Sequence, residues 1–215
     1  MVGQIGADDT RESLMRSATE AFALKGFSGA RVDEIAEGAR ANKAMIYYHF
    51  GSKEALYKAV LLRHLGGIHR EIGAAIEGEA DPLRRLQRLY RGLGSAFQRR
   101  PALPFMMIHE VLAGGSHMDV EVARALRGVV DLVRDAMAAG VAQGRVRTVN
   151  PVFVHFMMIA PLLVFNVSRP YRERLAAHEI DPIAPEAFAS LLDDALIRLL
   201  APAFPQDDSD KRRTT

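Results

Sequence analysis

One short segment of the chain combines side chains that can contact the edges of DNA bases. Residues 43–50 read KAMIYYHF. Lys43 can donate to guanine, and Ala44 and Met45 can touch thymine methyl groups. Tyr48 can make either kind of contact. The segment therefore offers direct contacts to base pairs, provided that it forms a helix that enters a major groove about 12 Å wide.

The neighbouring side chains suit contacts to the phosphate backbone. Tyr47 and His49 can reach phosphate oxygens, and Lys53 adds a positive charge. Lys53 follows Ser52, which can cap a helix whose free N–H groups also attract phosphate. Because neighbours on a helix point about 100° apart, at least one of Tyr47 and Tyr48 must face outward. The alternative is that the aromatic residues form a packed cluster.

The charges of the chain are unevenly distributed. Its 215 residues have a formal net charge of only +2, from 28 Lys and Arg against 26 Asp and Glu. Residues 38–70 instead contain six basic residues and a single acid, Glu54. A local positive excess suits a polyanion, although a solvated helix face would have the same charges. The basic residues are Arg40, Lys43, Lys53, Lys58, Arg63 and Arg70.

Short helices joined by a tight turn are expected to position these side chains. A helix that ends near Lys25 is followed by a second short helix, a turn at residues 40–41, and Asn42 as the N-cap of a third helix. Asn42 is also counted among the residues expected to contact DNA. Two short helices joined in this way form a helix-turn-helix, predicted over residues 32–51. The residues expected to pack inward are Ile35, Ile46 and Phe50.

Several motifs occur in a fixed order within residues 11–61. The first helix has the family's spacing of aliphatic, Ala and Phe residues and is followed by Gly26-Phe27. Next along the chain come Ile35-Ala36 and then the pattern IYYHF-x-SKEAL. With these motifs the chain resembles the TetR family of bacterial transcriptional regulators, over about a quarter of its length. The resemblance implies a DNA-binding domain over residues 9–69. It also implies a helical effector-binding and dimerisation domain over residues 70–204.

Three residues depart from the usual pattern of that family. Arg31 stands where a Thr or Ser normally caps the second helix, a loss of roughly 1 kcal/mol, but its side chain can still bind phosphate. Arg40 replaces the usual Gly of the turn, where a left-handed conformation would cost about 1–2 kcal/mol, so a different turn geometry is possible. Met45 replaces a hydrogen-bonding Thr or Ser. Together these departures leave the operator sequence open.

The remainder of the chain also has a helical pattern. Its apolar residues recur at steps of three and four, which predicts an all-α fold of about nine helices. The longest apolar stretch, residues 151–168, is shorter than the roughly 20 residues of a membrane helix, so a buried helix is predicted. Gly66-Gly67 marks either a bend in the fourth helix or its early end. The polar residues 205–215 are expected to form a disordered tail.

The C-terminal region is expected to bind an effector and a second subunit. Its last two helices, residues 150–169 and 185–200, are strongly apolar and are predicted to form the homodimer interface. Aromatic and methionine side chains suggest a pocket for a largely apolar small molecule, although such clusters are more often core. His109 is expected to orient the effector unless it is a satisfied core histidine. The candidate effector residues are Tyr90, Phe97, Met106, His109, Phe153, Phe156 and Met157.

Other classes of function lack their motifs in this sequence. The absence of cysteine excludes a disulfide framework, thiolate catalysis and Cys-based metal sites. The sequence has no glycine-rich phosphate loop, no GxSxG motif and no HExxH motif, so no enzymatic activity, metal or cofactor is expected. The first ten residues contain no secretory signal, and a cytoplasmic location without membrane contact is expected.

These observations predict a ligand-responsive transcriptional regulator. It is expected to be a repressor that binds palindromic double-stranded DNA as a homodimer and is released by a small-molecule effector. The alternative is a protein that binds DNA without sequence preference, or binds a partner, and uses the helix-turn-helix as a scaffold. The residue in the turn, Arg40, keeps that alternative open.

Overall fold

The computed structural model describes residues 7–178 and 183–202, which form ten helices and no strand. The predicted all-α fold is confirmed. The predicted tail, residues 205–215, lies outside the described residues, as do residues 203–204 of the second predicted domain. The helices are α1 (Ala7–Gly29), α2 (Val32–Gly38), α3 (Lys43–Phe50), α4 (Lys53–Ile76), α5 (Pro82–Arg99), α6 (Ala102–Leu112), α7 (Val120–Ala142), α8 (Pro151–Val167), α9 (Arg169–Ala176) and α10 (Pro185–Leu200).

The short helix α9 accounts for the difference from the predicted count of about nine helices. It follows α8 after a bend of 58°. None of its residues is buried. A helix that buries no face needs no stripe of apolar residues, so the sequence pattern did not indicate it.

Side-chain caps begin several of the helices. Asn42 and Ser52 cap α3 and α4 with oxygens that lie 3.0 and 3.1 Å from the backbone nitrogens to which they bind. Asp81 and Asn150 cap α5 and α8 as predicted, each directly before a proline. Proline at the first helical position gives up no intrahelical hydrogen bond, because the N–H that it lacks has no partner there.

The first three helices and the beginning of α4 share one core. Helix α1 breaks at Gly26, where φ is 68°, and the break turns the chain toward α2. The predicted inward residues Ile35 and Ile46 are fully buried. Phe50 is half-buried against the same core, and the guanidinium of Arg11 lies 5.2 Å from the centre of its ring. The core includes Leu14, Ala18, Phe22, Ile35, Ile46 and Leu56.

Helix α4 is continuous through Gly66-Gly67, so the early end, one of the two alternatives for these glycines, is not observed. The structure gives a packing reason for one of the two glycines. A Cβ atom on Gly67 would lie 2.8 Å from Nη2 of Arg100, which pairs with Glu71. Gly67 therefore makes room for an ion pair between α4 and the end of α5.

Helix α4 joins the N-terminal helices to the remainder of the protein. It packs against α1 and α3 on one side and against α5 and α7 on the other. The predicted domain boundary at residue 69 falls within this single helix. Helix α6 makes a second connection, because it packs against both α1 and α8. A movement among the later helices can therefore reach α1 and α3 by two routes.

Among the described residues, no single helix is both long and apolar enough to cross a membrane. Helices α8 and α9 reach that length only together, across their bend.

Candidate nucleic-acid interface and helical pocket

The turn between α2 and α3 is a Schellman motif. The N–H of Ala41 donates to the carbonyl of Ala36, and the N–H of Arg40 donates to that of Glu37, both at 2.9 Å. Arg40 has a φ of 53°. This motif usually places a glycine at that position, because a side chain is strained there. Arg40 thus adopts the left-handed conformation, and the different turn geometry that it could have imposed is not observed.

The outer face of α3 is open to solvent. Tyr48 is 76% exposed and Tyr47 is 50% exposed, whereas Ile46 is fully buried. Lys43 is exposed as well, and its Nζ lies 3.2 Å from Oδ1 of Asp33. An exposed ion pair of this kind is worth at most about 1 kcal/mol, so Lys43 can exchange Asp33 for DNA at little cost. The helix is anchored by one face and presents a lysine and two phenols on the other.

Other predicted contact residues on α3 are less accessible. Ala44 is exposed, but Met45 is half-buried and packs against the core. The Nε2 atom of His49 is buried and has no hydrogen-bond partner among the described groups. Contact between this nitrogen and a phosphate therefore requires the ring to move. Asn42 is exposed, and its side-chain oxygen is occupied as the cap of α3.

Two further cations lie at the beginnings of α2 and α4, the helices before and after α3 in the sequence. Arg31 is exposed at the N-terminus of α2, where its side chain makes no capping hydrogen bond. Lys53 begins α4, and its Nζ lies 4.5 Å from the centre of the Phe27 ring. Both cations are predicted phosphate contacts. The structure places them at the first turns of the two helices that border α3 in the sequence.

The positive patch predicted from residues 38–70 is weaker than its sequence suggests. Lys43 pairs with Asp33, and Arg63 pairs with Glu12. Lys58 binds both Asp119 and Glu121. Three of the six basic residues are thus paired with acids from outside residues 38–70. A count of charges within that segment does not include these acids.

A buried polar cluster, which the sequence analysis missed, joins α4 to α6. The hydroxyl of Tyr57 donates to Oε1 of Glu110 at 2.7 Å, and Glu110 is only 2% exposed. The backbone N–H of His117 donates to Oε2 of the same carboxylate at 3.3 Å. Nδ1 of His117 lies 2.9 Å from Oε1. The signal that could have indicated this cluster is the single acid within the apolar run PFMMIHEVLA.

His109 lies beside α1 and does not line the pocket that α5, α8 and α10 form. Its Nδ1 is 3.0 Å from the position that a Cβ atom on Gly26 would take. The imidazole therefore packs against the break in α1, where only a glycine leaves enough space. The predicted role of His109 in orienting an effector has no support in this position.

A pocket of about 390 Å³ lies between α5, α8 and α10. Tyr90 is the only one of the seven predicted effector residues that lines it. Tyr90 is 2% exposed, and its hydroxyl is buried without a hydrogen-bond partner among the described groups. Burial raises the pKa of Tyr90, so the hydroxyl keeps its proton. Other side chains of the pocket are Arg91, Leu162, Phe165, Phe188 and Asp193.

The other predicted effector residues divide into two groups. Phe97 and Met106 are buried in the hydrophobic core. Phe153, Phe156 and Met157 lie on the opposite, exposed face of α8. An apolar helix does not reveal from its sequence which face is turned inward. These three residues belong to the surface of the single chain rather than to its pocket.

The described residues contain no group of three or more His, Asp or Glu side chains that could hold a metal ion.

Comparisons with known proteins agree with this architecture. Residues 14–60 match the family described as bacterial regulatory proteins, tetR family, and residues 82–193 match the tetracyclin repressor-like C-terminal domain. The transcriptional repressor NicS of Pseudomonas putida is 31% identical over 197 residues, which are 89% of this chain and 92% of that protein. The transcriptional regulator RutR of Escherichia coli K12 is 29% identical over 150 residues, 70% of each chain.

A similar fold is found among solved structures. A bacterial regulatory protein in the tetR family from Rhodococcus RHA1 has a TM-score of 0.74 at 18% identity, covering 91% of this chain and 98% of that one. At this level of identity the likeness concerns the fold alone.

Proposed function

The chain belongs to the TetR family of bacterial regulatory proteins, and on this premise we propose that it is a transcriptional repressor released from DNA by a small molecule. It binds a palindromic operator as a homodimer. The observation that carries the proposal is the open face of α3, where Tyr47 and Tyr48 are exposed and Lys43 makes an exposed ion pair with Asp33. The direction of regulation follows the name of its relative NicS, a transcriptional repressor.

Side chains of α3 and of the two neighbouring helix N-termini have different roles in DNA binding. Tyr48 and Lys43, exposed on α3, contact base edges in the major groove. Arg31 and Lys53 bind phosphates on either side and fix the position of α3 in the groove. Base contacts supply the preference for one sequence, and phosphate contacts supply affinity for any duplex.

A second copy of the chain is proposed to cover the exposed apolar face of α8 and α10. This face carries six large apolar side chains, an unusual concentration for the surface of a monomer. When α8 and α10 pack against the same two helices of the second copy, these side chains are buried inside a four-helix bundle. The two-fold symmetry of the pair then places the α3 helices about 34 Å apart, or a multiple of that distance, to match a palindrome. The side chains are Phe153, Phe156, Met157, Val164, Leu191 and Ile197.

The effector is proposed to act through the helices that line the pocket. A ligand between α5, α8 and α10 shifts the dimer toward an arrangement whose α3 helices no longer fit successive major grooves. Such a shift requires that the ligand bind this arrangement more tightly than the DNA-bound one. Residues 9–69 form the DNA-binding domain and residues 70–204 the effector domain in this proposal, with α4 and α6 as the connections.

The relatives of this chain are transcriptional regulators, and the proposed role is regulation and not catalysis. A protein that acts on an operator must reach the bacterial chromosome. Its proposed place of action is therefore the cytoplasm.

Selection of bound duplexes from a random pool by the purified full-length chain tests the proposed function. The expected product is a palindrome whose half-sites are separated by about one helical turn or a multiple of it, bound at least 10³-fold more tightly than scrambled DNA. Equal affinity for selected and scrambled duplexes would overturn the proposal. That result would favour a protein that binds DNA without sequence preference.

A further inference from the structure

The backbone of Arg40 is strained in a way that the contacts of this residue within the chain do not explain. Among the described residues, Arg40 is the only one other than glycine with a positive φ, which is 53°. Glycine would adopt the same conformation without the clash of a Cβ atom. Strained backbone conformations cluster at functional sites, so an observed outlier is a reason to look for a function.

The side chain of Arg40 has no partner that would compensate for this strain. It is exposed, and among the described residues it makes no hydrogen bond, ion pair or ring contact. Glu37 is the acid nearest to it in the sequence, but only the carbonyl of Glu37 contacts Arg40, through the backbone N–H at 2.9 Å. A guanidinium stays protonated and presents five N–H donors. Arg40 therefore offers a positive charge to a group outside the chain.

This charge lies beside the helix that is proposed to enter DNA. Arg40 comes two residues before Asn42, the N-cap of α3. The three residues from Arg40 to Lys43 span at most about 11 Å of chain. In a helix-turn-helix the N-terminal residues of the second helix reach the base edges, in a groove about 12 Å wide and 8.5 Å deep. The turn that leads into α3 therefore passes close to the phosphates at the edge of the groove.

Few other cations of this region are available to DNA without breaking an ion pair. Three of the six basic residues in the segment 38–70 pair with acids. The three that make no ion pair with a described residue are Arg40, Lys53 and Arg70. About 25 Å of helix α4 separates Arg70 from Lys53. Within this segment, Arg40 and Lys53 are thus the two free charges close to α3.

We propose that Arg40 binds a phosphate of the DNA backbone next to the N-terminus of α3 and strengthens binding to any duplex without reading its sequence. The inference rests on the proposed function, because it takes α3 as the helix in the groove. It adds a phosphate contact to those of Arg31 and Lys53. A glycine in this turn would relieve the strain and lose the contact, so stability and DNA affinity oppose each other at this position.

Three substitutions separate the charge of Arg40 from its backbone strain. Lysine keeps both the charge and the Cβ atom, alanine keeps only the Cβ atom, and glycine keeps neither. Binding of each full-length variant is measured with a duplex of random sequence and with the selected operator, over a range of salt concentrations. The random duplex is included because a phosphate contact does not depend on sequence.

The affinity for DNA should follow the charge. Arg40→Ala and Arg40→Gly should bind both duplexes roughly three- to tenfold more weakly at about 0.1 M salt. The slope of log affinity against log salt concentration should fall by about 1 for each phosphate contact that is lost. Arg40→Lys should stay within about threefold of the parent chain, because lysine also binds phosphate as a point charge.

Thermal unfolding should follow the backbone strain instead. Arg40→Gly should melt about 2–4 °C above Arg40→Ala, because only glycine removes the strain. The more stable variant is thus expected to bind DNA as weakly as the alanine variant, which a loss of structure could not explain. Arg70→Ala is the matched control. It removes an exposed arginine without an ion pair to a described residue, far from α3, and should bind both duplexes like the parent chain.

Two results would overturn the inference and leave the operator selection intact. One is a parent-like affinity of Arg40→Ala for both duplexes. The other is a loss confined to the operator, which would show that Arg40 reads bases. Equal binding of all duplexes by the parent chain would instead overturn the proposed operator and leave the phosphate contact standing. If the parent chain bound no duplex, the proposed function and this inference would both be wrong.

Discussion

The phenolic oxygen of Tyr57 lies 2.7 Å from Oε1 of Glu110 and donates a hydrogen bond to it across the buried contact of α4 and α6. Burial, together with this carboxylate, raises the pKa of Tyr57, so the phenol remains a donor. The pair fixes α4, which begins next to the proposed DNA-binding helix α3, to α6, which contacts α8. It is therefore a direct physical link between the two proposed domains.

Tyr57→Phe should weaken that link. Removal of one donor to a buried carboxylate is expected to lower the free energy of unfolding by about 1–3 kcal/mol, measured by urea denaturation. Tyr171→Phe, at an exposed site on α9, should change it by less than about 0.5 kcal/mol. If Tyr57→Phe is as stable as the parent chain, the hydrogen bond does not hold the two helices together.

The strain at Arg40 predicts a stabilising substitution. Arg40 has a φ of 53°, which glycine adopts without a Cβ clash. Arg40→Gly should therefore raise the free energy of unfolding by about 1 kcal/mol relative to Arg40→Ala. The alanine variant is the proper reference, because it lacks the same side-chain charge but keeps the Cβ atom. Equal stability of the two variants would show that the left-handed conformation carries no strain.

The adjacent glycines of α4 are expected to respond differently to alanine. A Cβ on Gly66 makes only an ordinary contact of 3.7 Å with Arg70. Gly66→Ala should therefore raise the free energy of unfolding by roughly 0.5–1 kcal/mol. A Cβ on Gly67 would meet Arg100 at 2.8 Å and displace it from Glu71. Gly67→Ala should therefore not raise the free energy of unfolding. A similar gain for both variants would contradict the packing reason for Gly67.

The same displacement should appear in the titration of Glu71. Hydrogen bonds from Arg100 and Arg99 lower the pKa of Glu71 from 4.5 to about 2. Because the folded-state pKa is depressed, this contribution to stability is present above pH 4.5 and is lost as the pH falls toward 2. Gly67→Ala should move the NMR-measured pKa of Glu71 back toward 4.5. An unchanged value would mean that Arg100 keeps its place.

A charge on the exposed face of α8 should separate the proposed subunits. Phe156 is 64% exposed in the single chain, and Phe156→Glu would place a carboxylate within the proposed dimer interface. Sedimentation should then show a monomer where the parent chain shows a dimer. Leu112→Glu is the control, since Leu112 is 79% exposed at the end of α6 and should leave the dimer intact. A Phe156→Glu dimer would place the interface elsewhere.

The sequence predicted those features that depend on neighbouring residues in the chain. Helical spacing, the caps Asp81 and Asn150, and the inward positions Ile35 and Ile46 are confirmed, because each depends on residues within a few positions. The open face of α3 follows from the same periodicity, since buried Ile46 leaves Tyr47 and Tyr48 on the outer arc.

Features that depend on distant parts of the chain could not be predicted in this way. Asp193 meets Arg91 from a position 102 residues away, so this ion pair of the pocket cannot be recognised in either local sequence. Lys58 is likewise neutralised by Asp119 and Glu121, which a count of local charge omits. Helix α8 is apolar on most sides, and only its packing against α5, α6 and α7 shows which aromatic residues face outward.

The most direct test of the central claim is the affinity of Tyr48→Ala and Lys53→Ala for the selected operator and for a scrambled duplex, measured over a range of salt concentrations. Tyr48→Ala should reduce the preference for the operator by about 1–3 kcal/mol, because its exposed phenol is the proposed base contact. Lys53→Ala should weaken binding to both duplexes alike. It should also reduce the slope of log affinity against log salt concentration by about 1. If Tyr48→Ala keeps the full operator preference of the parent chain, α3 does not read the sequence of DNA as proposed.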